Sequence, residues 1–396
     1  MVSWGQNLWE ENILIVNRMN NIYFDFLKFC IGTKQYPDDY FKDIDWEELY
    51  RFAEKQALLG VVFEGVQRLD CSKTMDKALL MKWIATSQMI KRSNMLINDT
   101  AAKIYKQFKE DGFDCCVLKG QGNAMMYPNP YSRVAGDIDL WVAADRKKIL
   151  KYLEKNFAVG SLGYLHTEFQ LKNGVEVEIH FRPSFLYNPI YNKRIQSYFK
   201  RDTSEQCGNE ISLIGGAGNI AVPTTEFNVV FQLTHIYRHF FEEGIGLRQL
   251  VDYFYVLSLY KAKNNVNSVQ KSLKYLGLKK FASALMWVMQ EVFAISDDMM
   301  IVQPNENVGK KLLREILDGG NFGHYAERYG GFKGKGKLAR FQRKIYRDIS
   351  FVMDYPSEAL SVPLYFVWQY AWRLSHGDKN LLGYIASPRK LMYGKH

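Results

Sequence analysis

No Cys-x-x-Cys pair occurs in this chain, and its cysteines are odd in number, five in all. Cys30, Cys71 and Cys207 stand far apart, while Cys115 and Cys116 are adjacent inside an apolar run. A disulfide framework or a cysteine-based zinc site needs spaced pairs, so neither is expected. The cysteines read as small core residues of a reducing compartment. Long hydrophobic runs are missing too. A transmembrane helix takes about 18–20 consecutive apolar residues. The richest stretch, Leu364 to Trp372, is shorter and is interrupted by Gln369. The opening MVSWGQNLWEEN lacks a basic segment followed by an apolar one, so no secretory signal is expected and the location is read as cytoplasmic. No repeat of fixed period is present, which sets aside solenoids and propellers.

What is present is a globular composition. The 396 residues are 47% hydrophobic and 24% charged, enough for two or three structural units. The formal charge of +10 fits a polyanionic or phosphorylated partner, and fits equally a lysine-rich solvated surface. Nucleic acid is compatible with that charge, but no motif indicates it.

The patterning predicts an α+β protein with a small mixed sheet flanked by helical regions, divided as 1–100, 101–222 and 223–396. In the first region Asp45, with Glu48 three residues on, looks like a capping box. Leu49, Phe52, Leu59, Val62, Phe63, Val66 and Leu69 follow at helical spacing, and a second helix is expected from about Lys77 to Phe108. In the middle region Phe113–Leu118 reads as a buried strand and Asp137–Val142 as another. Asp145 is a helix cap, and Tyr164–Leu171 with Val175–Phe181 form a hairpin around Lys172-Asn173-Gly174. A three-residue hairpin loop sorts the faces: Phe169 lies opposite Val177, and Glu168 opposite Glu178, with His166, Glu176 and His180 on the same polar face. The last region is helical again, with Thr224 or Thr225 as a cap and a helix from about Gly246 to Ala262. Gly- and Lys-rich residues 330–337 predict a loop, and Lys333 to Arg347 carries a basic stripe.

Chemistry concentrates in Asp137-Ile138-Asp139-Leu140. On a strand, residues i and i+2 share a face, so both carboxylates project together. Two like charges this close need a cation or a proton between them, and oxygen donors suit Mg²⁺ or Mn²⁺. Upstream, Lys119-Gly120 ends a strand with a basic group and a residue that lets backbone N–H groups approach phosphate. Downstream, Glu176 and Glu178 alternate on a later strand. Glu178 is preferred as the third carboxylate, with Glu176 as the alternative. Arg133 is a candidate phosphate ligand, or a salt bridge fixing its turn. His235 and His239, four apart on a helix, are either a zinc pair or packing beneath the site. Arg248 and Asp252 are spaced to pair with one another.

The stretch LKGQGNAMMYPNPYSRVAGDIDLWV, with the later VEVEIHF and HIYRHFFEEGIGLRQLVDYF, resembles the uncharacterised bacterial nucleotidyltransferases of the DNA polymerase beta-like superfamily. The resemblance spans roughly residues 110 to 260. It implies a nucleotidyltransferase core in which Asp137, Asp139 and Glu178 bind two divalent ions and a nucleoside triphosphate is the donor; Lys119, Gly120 and Arg133 are the candidates for contacting it. The acceptor is left open. A DxD-type glycosyl- or phosphosugar transferase, and a non-catalytic nucleotide-binding module, are the competing readings.

Overall fold

The computed structural model describes residues 22–160, 162–261, 266–321 and 349–375. The expected 330–337 loop and the 333–347 basic stripe lie outside the described residues. Helix α1 (residues 22–31) leads into α2 (Trp46–Lys55), whose first N–H groups at Glu47 and Glu48 donate to the Asp45 carboxylate. The apolar period that predicts one helix from there to Leu69 is broken at Ala57, at φ +55°, and α3 (Leu59–Val66) restarts beyond it.

Helix α4 (Lys77–Glu110) is capped by Asp76, which accepts from Leu79 N. Its C-terminal half buries Ile97, Ala101, Ile104, Tyr105 and Phe108, an apolar stripe at helical spacing. That stripe covers one face of the sheet through Cys115, Val117, Ile138, Leu140, Val177 and Ile179. Burying each large side chain stabilises by about 1.5–3 kcal/mol. The N-terminal half of α4 belongs to a second core: its Trp83 is fully buried there, stacked on Phe63. One helix therefore spans both cores.

The sheet has the order β1-β2-β4-β3. β1 (Cys115–Leu118) is antiparallel to β2 (Ile138–Val142), β2 is parallel to β4 (Glu176–His180), and β3 (His166–Gln170) is antiparallel to β4. The short α5 (Gly120–Ala124) follows β1, and α6 (Arg146–Asn156), capped by Asp145, carries the chain across after β2. The β3–β4 hairpin closes through Leu171 N donating to Val175 O, with Gly174 at φ +84°, so the loop has three residues and Phe169 lies opposite Val177.

Then follow α7 (Pro189–Arg201), α8 (Thr203–Gly208) and a second, two-stranded sheet of β5 (Glu210–Leu213) and β6 (Gly218–Ala221), which packs Ile220 and Ala221 into the sheet core. The C-terminal region is helical: α9 (Thr225–Glu242), α10 (Leu247–Lys261), α11 (Val266–Tyr275), α12 (Lys279–Phe293) and α13 (Glu306–Gly319), with a last helix, Ser361–Ser375, returning to the sheet side. Thr224 occupies the cap position of α9 without a capping hydrogen bond from its side chain; its own N–H donates to Gln206 Oε1 at 2.7 Å. No helix among the described residues is long and apolar enough to cross a membrane.

Candidate active site

Parallel pairing of β2 with β4 sets Asp139 beside Glu178, and antiparallel pairing of β1 with β2 sets Leu118 beside Asp139. Lys119 leaves β1 at that point and holds its Nζ 2.8 Å from Asp139 Oδ1. Its backbone stands at φ +49°, a region that side-chain-bearing residues avoid at roughly 1–3 kcal/mol. Gly120, also at positive φ, lies against the Asp137 carbonyl, so the turn passes close under the acidic pair. Asp137 immediately precedes β2 and completes a group with Asp139 and Glu178 whose ligand atoms lie within 4.8 Å of one another. Three convergent carboxylates fit a divalent cation held through oxygen.

Histidines complete the cluster. His180, one turn of the pleat beyond Glu178, places Nε2 2.9 Å from Asp139 Oδ1 and 3.1 Å from Glu178 Oε2. His166, opposite His180 on β3, places Nδ1 3.1 Å from the same Glu178 oxygen. A second group of possible cation ligands, His166, Glu178 and His180, thus shares Glu178 with the first.

The charges are unequal. Burial, together with Asp139 and Glu178, pushes the Asp137 carboxyl up to about 6. Burial also opposes ionisation of Asp139, but Lys119 and His180 outweigh it and hold that carboxyl below the usual range. Glu178 is held well below it, against burial, by His166 and His180. His180 is buried too, yet its two carboxylate partners raise it above the ordinary imidazole value. Glu176 is outside the ligand groups, and burial with Glu168, Asp137 and Glu178 nearby pushes it up to about 7. Of the two candidate glutamates, Glu178 is the one that joins the aspartates.

Arg133 makes the salt bridge of its two readings. Its Nε and one terminal nitrogen donate to the two oxygens of Asp252 at 2.8 Å, deep in the protein, and Tyr127 donates to the same carboxylate. Arg248, one helical turn before Asp252, also helps to lower that carboxyl and donates to Val134 O at 3.0 Å. Arg133 therefore fixes the turn before Asp137 to α10, with its guanidinium committed to Asp252. Asn94 holds the same turn from α4 through the Tyr131 and Arg133 carbonyls. From α3, Gly60 approaches so closely that a Cβ would fall 2.2 Å from Ser132 O.

The His235 and His239 rings meet edge to face with their centroids 4.3 Å apart. Burial holds both well below the ordinary imidazole value, helped at His235 by Lys119, His239 and Arg238 and at His239 by Arg238 and Lys119. His239 Nε2 faces an Arg238 nitrogen at 2.9 Å, and no third ligand joins the pair among the described residues. They pack beside the site on the α9 face that Gln232 anchors to Asn123 of α5.

The fold is mixed α+β, and its small sheet brings carboxylates together where β2 and β4 lie side by side. The chain belongs to the family described as uncharacterised nucleotidyltransferase, which it matches over residues 42–294. A solved structure it resembles is that of an antigenic nucleotidyltransferase-like protein from Paracoccidioides brasiliensis. The two are 14% identical with a TM-score of 0.32, over 54% of this chain and 95% of that one. No curated protein matches the chain.

Proposed function

We propose that the protein moves a nucleoside monophosphate from a nucleoside triphosphate to an acceptor hydroxyl. The acceptor oxygen forms a bond to the α-phosphorus, the bond to the β-phosphate oxygen breaks, and pyrophosphate leaves. The observation that carries this reading is the convergence of Asp137, Asp139 and Glu178 from two adjacent strands, with Lys119 at their edge. Mg²⁺ or Mn²⁺ held by these three carboxylates would neutralise charge on the transferring phosphate and lower the pKa of the acceptor hydroxyl. Lys119 would exchange Asp139 for a phosphate oxygen, a reading supported by its side chain keeping 17% exposure while Asp139 keeps 3%. Gly120 lets the backbone after β1 approach the same phosphates. The third carboxylate favours this reading over a sugar transferase that holds its donor through a DxD pair alone.

The test is calorimetric titration of the four nucleoside triphosphates with Mg²⁺ or Mn²⁺. Asp137→Asn and Asp139→Asn are expected to abolish metal-dependent binding with circular dichroism unchanged. Lys119→Ala is expected to weaken triphosphate binding more than nucleoside binding. Unchanged metal-dependent binding in both aspartate variants would overturn the site.

A further inference from the structure

Glu178 belongs to two potential ligand groups, and the second brings nitrogen donors. From this juxtaposition, and resting on the acidic site proposed above, we infer that the ion beside Asp139 and Glu178 is ligated directly by imidazole, through His180 Nε2 and His166 Nδ1, and that the site selects Mn²⁺ or Co²⁺ over Mg²⁺.

The geometry is that of donors around one centre. Ligands about 2.1 Å from an octahedral ion stand about 3.0 Å apart along an edge. Around tetrahedral zinc with bonds of about 2.1 Å they stand about 3.4 Å apart. His180 Nε2 lies 2.9 Å from Asp139 Oδ1 and 3.1 Å from Glu178 Oε2, and His166 Nδ1 lies 3.1 Å from Glu178 Oε2. All three spacings match the octahedral edge.

A hydrogen-bonded network explains these contacts only in part. One imidazole N–H at His180 serves two carboxylate oxygens. His166 Nδ1 is buried 3.1 Å from Glu178 Oε2 and has no hydrogen-bond partner among the described residues. A cation between them accepts every one of these lone pairs at once.

The ligand set follows from the sequence. The three-residue hairpin loop places His166 opposite His180 on the strand face that carries Glu178. A one-residue slip of β3 would turn His166 to the opposite face and put Leu165 or Thr167 across from His180. Metal preference follows from the donors. Mg²⁺ takes oxygen and holds its waters, whereas imidazole favours later divalent ions, with affinity rising from Mn²⁺ to Co²⁺.

The experiment uses the full chain, stripped with chelator and reloaded with Mn²⁺. Pulsed electron paramagnetic resonance is expected to show ¹⁴N coupling from bound imidazole, reduced in His166→Gln and lost in His166→Gln/His180→Gln. Calorimetry is expected to give Co²⁺ binding at least about tenfold tighter than Mg²⁺, a gap that closes in the double variant. Because His180 is buried, His166→Gln, at the more exposed position, guards against a folding defect. Mn²⁺ bound with oxygen couplings alone, or ¹⁴N coupling that survives the double variant, overturns imidazole ligation and leaves the acidic site standing. Failure of Mn²⁺ to bind at all overturns both.

Discussion

Asp137 and Asp139 share a strand face but not a protonation state. Asp139 has Lys119 and His180 against it, while Asp137 meets burial and two carboxylates, which push it up to about 6. The folded chain therefore keeps a proton on Asp137 at pH values where the unfolded chain has lost it. Its contribution to stability falls as pH rises from about 4 to about 6, and the penalty is complete above that. Asp137→Asn removes the penalty. In metal-free buffer the variant is expected to be more stable than the parent above pH 6, by up to about 3 kcal/mol, with the difference vanishing near pH 4. Urea unfolding at both pH values checks this; equal midpoints above pH 6 would show that the carboxylates do not oppose one another. The strained backbone of Lys119 belongs to the same scale, because its φ of +49° is what turns the ammonium back over Asp139.

Among elements, the turn between α5 and β2 is the piece that must be held for Asp137 to stay in place. Its buried Arg133–Asp252 pair ties it to α10. Removing one partner of a buried pair leaves an uncompensated charge, at about 3–5 kcal/mol. Arg133→Ala and Asp252→Ala are each expected to lose that much in denaturant unfolding, with the double variant losing less than the sum; strict additivity would mean the two side chains act independently. This pair also marks the limit of what the sequence discloses. Period-two alternation and a glycine-closed turn were enough to read the β3–β4 register, down to Glu168 opposite Glu178, and Asp45 and Asp145 were readable as caps because capping is local. Arg133 and Asp252 are 119 residues apart, and no local pattern joins them. The break at Ala57 was hidden because apolar spacing continues across it. The β5–β6 hairpin is signalled in the sequence by Gly215-Gly216 alone, because strands of four residues are too short for alternation to show. Alternation places His180 on the polar face, but its double contact with Asp139 and Glu178 follows only from the β2–β4 pairing.

At the scale of the whole molecule, the C-terminal segment comes back to the sheet. Tyr365 stacks on Phe185 at 4.9 Å, Trp368 meets Tyr164 edge-on, and Arg146 lies over Trp372. Glu358, 2% exposed, accepts the backbone N–H groups of Tyr187 at 2.5 Å and Asn188 at 3.1 Å at the start of α7. Glu358→Ala strands the buried Tyr187 N–H, at about 1–3 kcal/mol, and the part-buried Asn188 N–H, at less. The variant is expected to lose about 2–4 kcal/mol of stability, and hydrogen exchange should rise first at residues 187–191 and in the helix Ser361–Ser375. Exchange that rises evenly over the protein would argue against a local latch.

The strand order has a consequence in time. The β3–β4 hairpin closes over three residues, an event of about 1–10 μs in isolation. Its docking on β2 must instead close the chain from Val142 to Glu176, and the same step brings Glu178 against Asp139. The same docking brings His180 against Asp139, so the two carboxylates meet with their cationic partners converging on them. A divalent cation held there, as proposed, would add its charge to that of Lys119 and the two histidines just as the carboxylates come together.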